Sequence, residues 1–246
     1  MSKPARPSAP PLAQHSNLIL ASLSKTARLQ LLREAELIEF KFGEIVYEYE
    51  APIRHVYFPI DSYISLVTPS GAAESIEVGM IGNEGILGLT VLLDVSTSPL
   101  VAVVQGPGTA LRLSLRRFLD AVEELPTLRT SLNRYLFVLT SQMAQSAACN
   151  RSHLLDARLA RWVLMTQDRA QKATFRMTHR FLSYMLGVRR PGVTEAAGRL
   201  QEAGFIRYGK GELTVLDRSR LKSAACPCYA VLNDLYRQHL NIPKQA

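Results

Sequence analysis

Between Met177 and Leu216 the side-chain pattern leaves few folds open. Leu182, Leu186, Val188, Val193 and Ala196 are spaced as the packed faces of two short helices, with Gly187 between them and small Ser183 where they touch most closely. Helices that cross at a steep angle need a small residue at the crossing, and the first helix needs a stop that tolerates positive φ. Downstream, Phe205-Ile-Arg-Tyr and Glu212-Leu-Thr-Val-Leu read as two strands around Gly209-Lys-Gly211, a small hairpin. The stretch reads as a helix-turn-helix with a wing.

The remainder of the chain falls into blocks of different rhythm. From Leu18 to Ile38, Leu20, Leu23, Ala27, Leu31, Ala35 and Ile38 recur at helical spacing, which predicts short amphipathic helices. After Phe42-Gly43 come short β-branched or aromatic runs at Glu44–Tyr49, His55–Phe58, Tyr63–Thr68, Ser75–Val78, Val101–Val104 and Ala110–Leu113. Pro52, Pro59, Pro69-Ser-Gly71, Gly79, Gly82 and Gly106-Pro-Gly108 punctuate them, the turn chemistry of a compact antiparallel barrel or sandwich. Pro126 suits a first helical turn, and the apolar positions Leu128, Leu132, Tyr135, Leu139 and Met143 then follow at near-heptad spacing. A helix of this length, about 36 Å, is expected to pair these five residues across a dimer. A further helix over Ser152–Arg169 is expected to bury Leu154, Leu155, Leu159, Trp162, Val163 and Met165, with Trp162 as a core anchor.

The expected fold class is α+β. Residues 1–15 read as a disordered Pro-rich leader, 16–119 as a β-rich sensor barrel, 120–150 as a dimerisation helix, 151–225 as the winged helix-turn-helix, and 226–246 as a C-terminal extension. At 246 residues and 47% hydrophobic content the chain can bury two modest cores. No export signal and no membrane-length apolar run is evident, so the expected location is the cytoplasm.

Charge separates the two ends. Residues 151–246 carry 17 Lys and Arg against 7 Asp and Glu, a balance of +10, whereas residues 1–150 carry 12 against 14, or −2. A cationic end can neutralise phosphates and gain from counterion release, which points to double-stranded DNA before a membrane surface. Arg189 and Arg190 open the second helix of the pair, where side chains can enter the major groove and pair with guanine. Thr178, His179, Arg180, Gly192, Thr194, Glu195, Arg199 and Lys210 complete the expected DNA-binding set, with Arg180, Arg199, Lys210 and His179 read as phosphate contacts or plain surface.

Cys149, Cys226 and Cys228 make an odd count without an export signal, so a disulfide framework is not expected. Cys226-Pro-Cys228 offers half a tetrahedral metal site with no matching second pair, and the three are read as reduced thiols, with no metal and no cofactor. The histidines at 15, 55, 153, 179 and 239 are scattered, and no phosphate-loop or nucleophile-elbow pattern is present. No catalytic residue is assigned.

A β-rich domain, a long helix and a winged helix in that order resemble the Crp/Fnr superfamily of bacterial transcription regulators, over roughly Leu18 to Ala225. The resemblance is carried by Ile81-Gly-Asn-Glu-Gly-Ile-Leu-Gly88, similar to that family's ligand-cassette motif, and by Tyr184–Thr194 with Leu200–Ile206, similar to its helix-turn-helix and wing entry. It implies a cyclic-nucleotide-binding-like barrel of jelly-roll type, a homodimer on a near-palindromic operator, and RNA polymerase as a further candidate partner. Gly82, Glu84, Gly85 and Gly88 would then shape a ligand pocket. Arg190 matches the family's recognition arginine, but Pro191 and Glu195 depart from the residues that usually follow it. Where cyclic AMP binders carry a phosphate-holding arginine this chain has Thr97-Ser-Pro-Leu100, and no Lys or Arg occurs from His55 to Leu111, a span with the acids Asp61, Glu74, Glu77, Glu84 and Asp94. A buried phosphate without a countercharge is costly, so the effector, if one exists, is not expected to be cyclic AMP. The competing reading is a protein that does not bind DNA and docks a protein partner through a degenerate barrel and winged helix.

Overall fold

The computed structural model describes residues 17–69 and 75–240. The Pro-rich leader, the Ser70-Gly71 part of the expected turn, Glu74 and positions 241–246 lie outside the described residues. Two short helices open the chain, α1 (Leu18–Ala21) capped by the Asn17 side chain and α2 (Lys25–Glu34) capped by Ser24. Helical spacing ran on to Ile38, yet Ala35 is already extended and Glu36–Phe40 forms strand β1. Its antiparallel partner is β7 (Gly108–Ser114), a distant pairing that overrides local periodicity.

Strands β2 (Ile45–Tyr47), β3 (His55–Pro59), β4 (Tyr63–Val67), β5 (Glu77–Ile81) and β6 (Val101–Gly106) complete two antiparallel sheets, ordered β1-β7-β3 and β2-β6-β4-β5. Val56, Phe58, Ile64, Ile81, Val104 and Leu113 fill one core with them, the jelly-roll type of barrel expected.

Helix α3 (Leu115–Glu124) is separated from α4 (Pro126–Ser152) by a break at Leu125, so the division expected at position 120 falls inside α3. The seam of α4 is not where it was expected. Leu128, Leu132 and Tyr135 are wholly buried, Leu139 nearly so, and Met143 packs on the same core, all within one chain. They are covered by the barrel, α3 and the C-terminal helix described below, with Met143 only partly buried. Heptad spacing reveals that a helix has an apolar face and not which surface covers it. The open face of α4 carries Asn133, Phe137, Thr140, Ala144 and Ala147 instead.

Beyond α4 come α5 (Leu155–Ala170), β8 (Thr174–Arg176), α6 (His179–Leu186), α7 (Arg190–Glu202), β9 (Ile206–Gly209), β10 (Glu212–Val215), α8 (Arg218–Ala224) and α9 (Cys228–Leu240). Leu154, expected in the core, is 84% exposed because it precedes α5 in extended conformation. Part of the expected C-terminal extension is therefore a helix, and its Tyr236 belongs to the barrel core. A second core joins α5 to α8 with Tyr63, Val67 and Met80 of the barrel, so the winged helix is docked on the β4–β5 side of its own barrel.

Buried polar bonds cross this junction. Trp162 Nε1 donates to Glu77 Oε1 at 3.1 Å, and Ser65 donates to the other carboxylate oxygen at 2.5 Å. The Gln142 carboxamide accepts from the Met80 amide at 2.8 Å and donates to Tyr236 at 2.7 Å. Arg169 reaches Glu84 at 2.7 Å and also donates to Tyr236 at 3.0 Å. Trp162 is thus an anchor between domains as well as a core residue.

Candidate functional site

The recognition surface is assembled by a turn whose geometry demands glycine. Gly187 ends α6 at φ +61°, and its amide and that of Val188 close the helix onto Tyr184 and Ser183. The Ile76 side chain leaves too little room there for a Cβ. Leu182, Leu186, Val193 and Ala196 are buried between the two helices, with Ser183 buried at their contact. Arg189 and Arg190 are exposed at the start of α7, where Pro191 sits in the first turn, a position whose missing N–H costs no helical bond. Lys210 lies at the wing tip in left-handed conformation, followed by positive-φ Gly211, the turn chemistry of a tight hairpin. Among the described residues, Arg189, Arg190 and Lys210 enter no ion pair.

Other expected contacts are committed elsewhere. Arg199 makes a two-pronged bond to Asp156 of α5 at 2.6 and 2.7 Å, which ties it to the scaffold and removes it from the set of open cations. Thr178 caps α6 by accepting from the Phe181 amide. His179 stacks on Tyr208 of the wing with centroids 4.4 Å apart. The Thr194 hydroxyl donates to the Arg190 carbonyl and lies 3.0 Å from His179 Nδ1, within hydrogen-bond distance. Burial and the nearby Arg190 charge hold the imidazole below its ordinary pKa. The ring thus bridges α6, α7 and the wing. Gly192 lets α7 approach Leu155 closely, Glu195 is exposed, and Arg180 bonds the Tyr184 hydroxyl at 3.0 Å. The exposed Arg207 of β9 adds a wing cation that the sequence reading passed over; its place outward on a strand flanking the wing turn was the available signal.

Residues 157–224 match the family model described as the Crp-like helix-turn-helix domain. The chain carries a Crp-like winged helix and has the Crp/Fnr fold. FixK2 from Bradyrhizobium japonicum is similar over 78% of this chain and 98% of its own, at 15% identity and a TM-score of 0.66. A CRP-family transcriptional regulator from Thermus thermophilus is similar over 76% and 96%, at 17% identity and a TM-score of 0.63. A CRP/FNR-family transcriptional regulator from the same organism gives 77% and 98%, at 20% identity and 0.60. No curated protein matches the chain in sequence.

Within this Crp/Fnr fold the cassette glycines serve contact more than ligand. A Cβ on Gly85 would overlap the Tyr135 side chain of α4, and one on Gly82 would press on Arg169. Glu84, buried against Arg169, is consumed by that ion pair. Of the four residues expected to form a pocket, only Gly88 borders the barrel cavity, a partly open space of about 210 Å³ between the barrel and α4. Its walls are Tyr47, Ile53, Leu66, Ile81, Leu87, Leu89, Leu100, Leu136, Leu139 and Met143 among others, without a charged side chain. Tyr47, its largest polar group, already donates to the His55 carbonyl.

All three cysteines are free thiols, and the fold brings Cys226 and Cys228 to Cys149 and His153, with one ligand-type atom from each lying within 4.8 Å of all the others. Cys149 and His153 are one helical turn apart, so a Cys-x3-His followed by a Cys-x-Cys was the legible signal. Within the cluster, the hydrogen bond with Cys226 is the main influence that draws the Cys149 thiol down to about 5.

Proposed function

We propose that this protein is a sequence-specific DNA-binding transcription regulator that acts as a homodimer, with the barrel as its sensor. The observation that carries this reading is the open basic surface made by Arg189 and Arg190 at the start of α7 with Arg207 and Lys210 on the wing, exposed and outside every ion pair of the described residues. Arginine at a recognition-helix N-terminus can pair with guanine O6 and N7, while wing cations hold phosphates. The barrel serves as sensor, α4 as dimer helix and α5 to α8 as the DNA-binding domain, with α9 folded back on α4.

Dimerisation is assigned to the open face of α4, where Asn133, Phe137, Thr140, Ala144 and Ala147 are exposed. Two winged helices related by a twofold axis would meet half-sites about 34 Å apart. The barrel cavity suits an uncharged, apolar effector, since its walls cannot offset a phosphate. Such an effector shifts the equilibrium only by binding one domain arrangement better than another.

Selection of bound fragments from random DNA, followed by competitive mobility shifts at two salt concentrations, tests the reading. A near-palindromic site that survives excess random DNA is the expected result. A protein with no sequence preference, retained instead by a protein partner, overturns it.

A further inference from the structure

The cluster at the end of α4 has the composition and shape of a closed metal site. Cys149 and His153 stand one turn apart, and Cys226 and Cys228 come from the start of α9. Cys149 Sγ lies 3.4 Å from Cys226 Sγ, and Cys228 Sγ lies 3.6 Å from His153 Nδ1. A zinc ion bound tetrahedrally at about 2.3 Å from sulfur and 2.0 Å from nitrogen separates its ligand atoms by about 3.5–3.8 Å. These two spacings match edges of that tetrahedron to within a few tenths of an ångström, and all four ligand atoms lie within 4.8 Å of one another. A cluster of several irons would hold its sulfurs farther apart, and oxygen-seeking ions find no carboxylate among these four.

A second observation points the same way. Arg158 and Arg161 of α5 are buried and neither enters a salt bridge among the described residues. Among the described residues, Arg161 has one polar contact, to the Met165 sulfur, and its Nε has no partner. A divalent ion with three thiolates and a neutral imidazole carries a net −1, a countercharge close to two buried guanidiniums that enter no salt bridge among the described residues. Gln145 meanwhile donates to Cys228 Sγ at 3.0 Å, the kind of outer bond that orients a thiolate ligand.

We propose that Cys149, His153, Cys226 and Cys228 bind one structural zinc ion that clamps α9 onto the C-terminal end of α4. Binding converts three thiols to thiolates and releases their protons to solvent, with no change in oxidation state. The clamp sits at the turn from α4 into α5, where the winged helix leaves the long helix. It also seats α9, whose Tyr236 reaches the Gln142 and Arg169 bonds that hold the two domains together.

The test uses the full-length protein, reduced, stripped of metal and titrated with zinc sulfate against a chromophoric chelator. One zinc per chain is expected, and cobalt(II) in its place should show the thiolate charge-transfer and ligand-field bands of a tetrahedral site. Cys226→Ser and His153→Ala should lower the bound zinc at least tenfold. His153→Cys should retain it, which separates loss of a ligand from loss of the fold. Failure of the reduced protein to bind stoichiometric zinc overturns the proposal. So does zinc that persists in Cys226→Ser, or an intact mass lower by two hydrogens with Cys149 joined to Cys226 in protein isolated under reducing conditions.

Discussion

Arg169, in the last turn of α5, holds Glu84 of the barrel cassette at 2.7 Å with both side chains almost wholly out of solvent. Burial opposes the arginine's charge, yet Glu84 with Tyr236 and Tyr135 raises its pKa above the ordinary value. A carboxylate in a motif that resembles a ligand cassette thereby joins the barrel to the winged-helix domain. Removing one partner leaves an uncompensated buried charge. Arg169→Met should therefore destabilise the protein by about 3–5 kcal/mol, with Arg169→Met/Glu84→Met recovering much of that. Urea unfolding of the four proteins in a double-mutant cycle gives the coupling; a coupling near zero would show the pair to be inert.

Glu77 gives the junction a pH dependence that one fluorophore can read. Burial raises its pKa from 4.5 to about 7, although bonds from Ser65 and Trp162 and the charges of Arg161 and Arg169 act the other way. Between those values the native chain keeps the proton and the unfolded chain has lost it. The resulting stability is present in full below about pH 4.5 and is lost as pH rises through about 7, a loss on the order of 3 kcal/mol. Trp162, the sole tryptophan, bonds this carboxylate, so its emission should titrate with a midpoint near 7. In Glu77→Gln that transition should vanish.

The seat of Tyr135 on Gly85 makes a steric prediction. Gly85→Ala drives a methyl into a wholly buried side chain, and overpacking of this kind costs about 1–3 kcal/mol. Thermal unfolding should show the loss, and adding Tyr135→Leu should restore part of it.

Arg190 and Lys210 should fail differently on DNA. Arg190→Ala should cost about 1–3 kcal/mol on the selected site and relax preference at one base position. Lys210→Ala should weaken all sequences alike and reduce the salt dependence by about one phosphate contact. Fluorescence anisotropy on matched and mismatched duplexes distinguishes the two.

Cyclic AMP should give no saturable heat in calorimetry with the purified protein, because the cavity between barrel and α4 has no charged wall among the described residues. Micromolar saturation would refute this.

Local chemistry carried much of this protein into view before any coordinates. The strands with their turn residues, the glycine between α6 and α7, and the wing hairpin are specified by backbone geometry and short-range periodicity, which depend on near neighbours in the chain. Charge imbalance likewise needs only counting. What periodicity could not convey is which surface covers an apolar face: the seam from Leu128 to Met143 is buried by its own barrel and by α9, the latter some ninety residues distant. The same limit hid the partners of Glu84, Glu77 and Arg199, and the meeting of Cys149 and His153 with two thiols from the far end. Those pairings arise from long-range packing, in which burial raises the cost of every unpaired charge, and only the folded chain decides which group answers it.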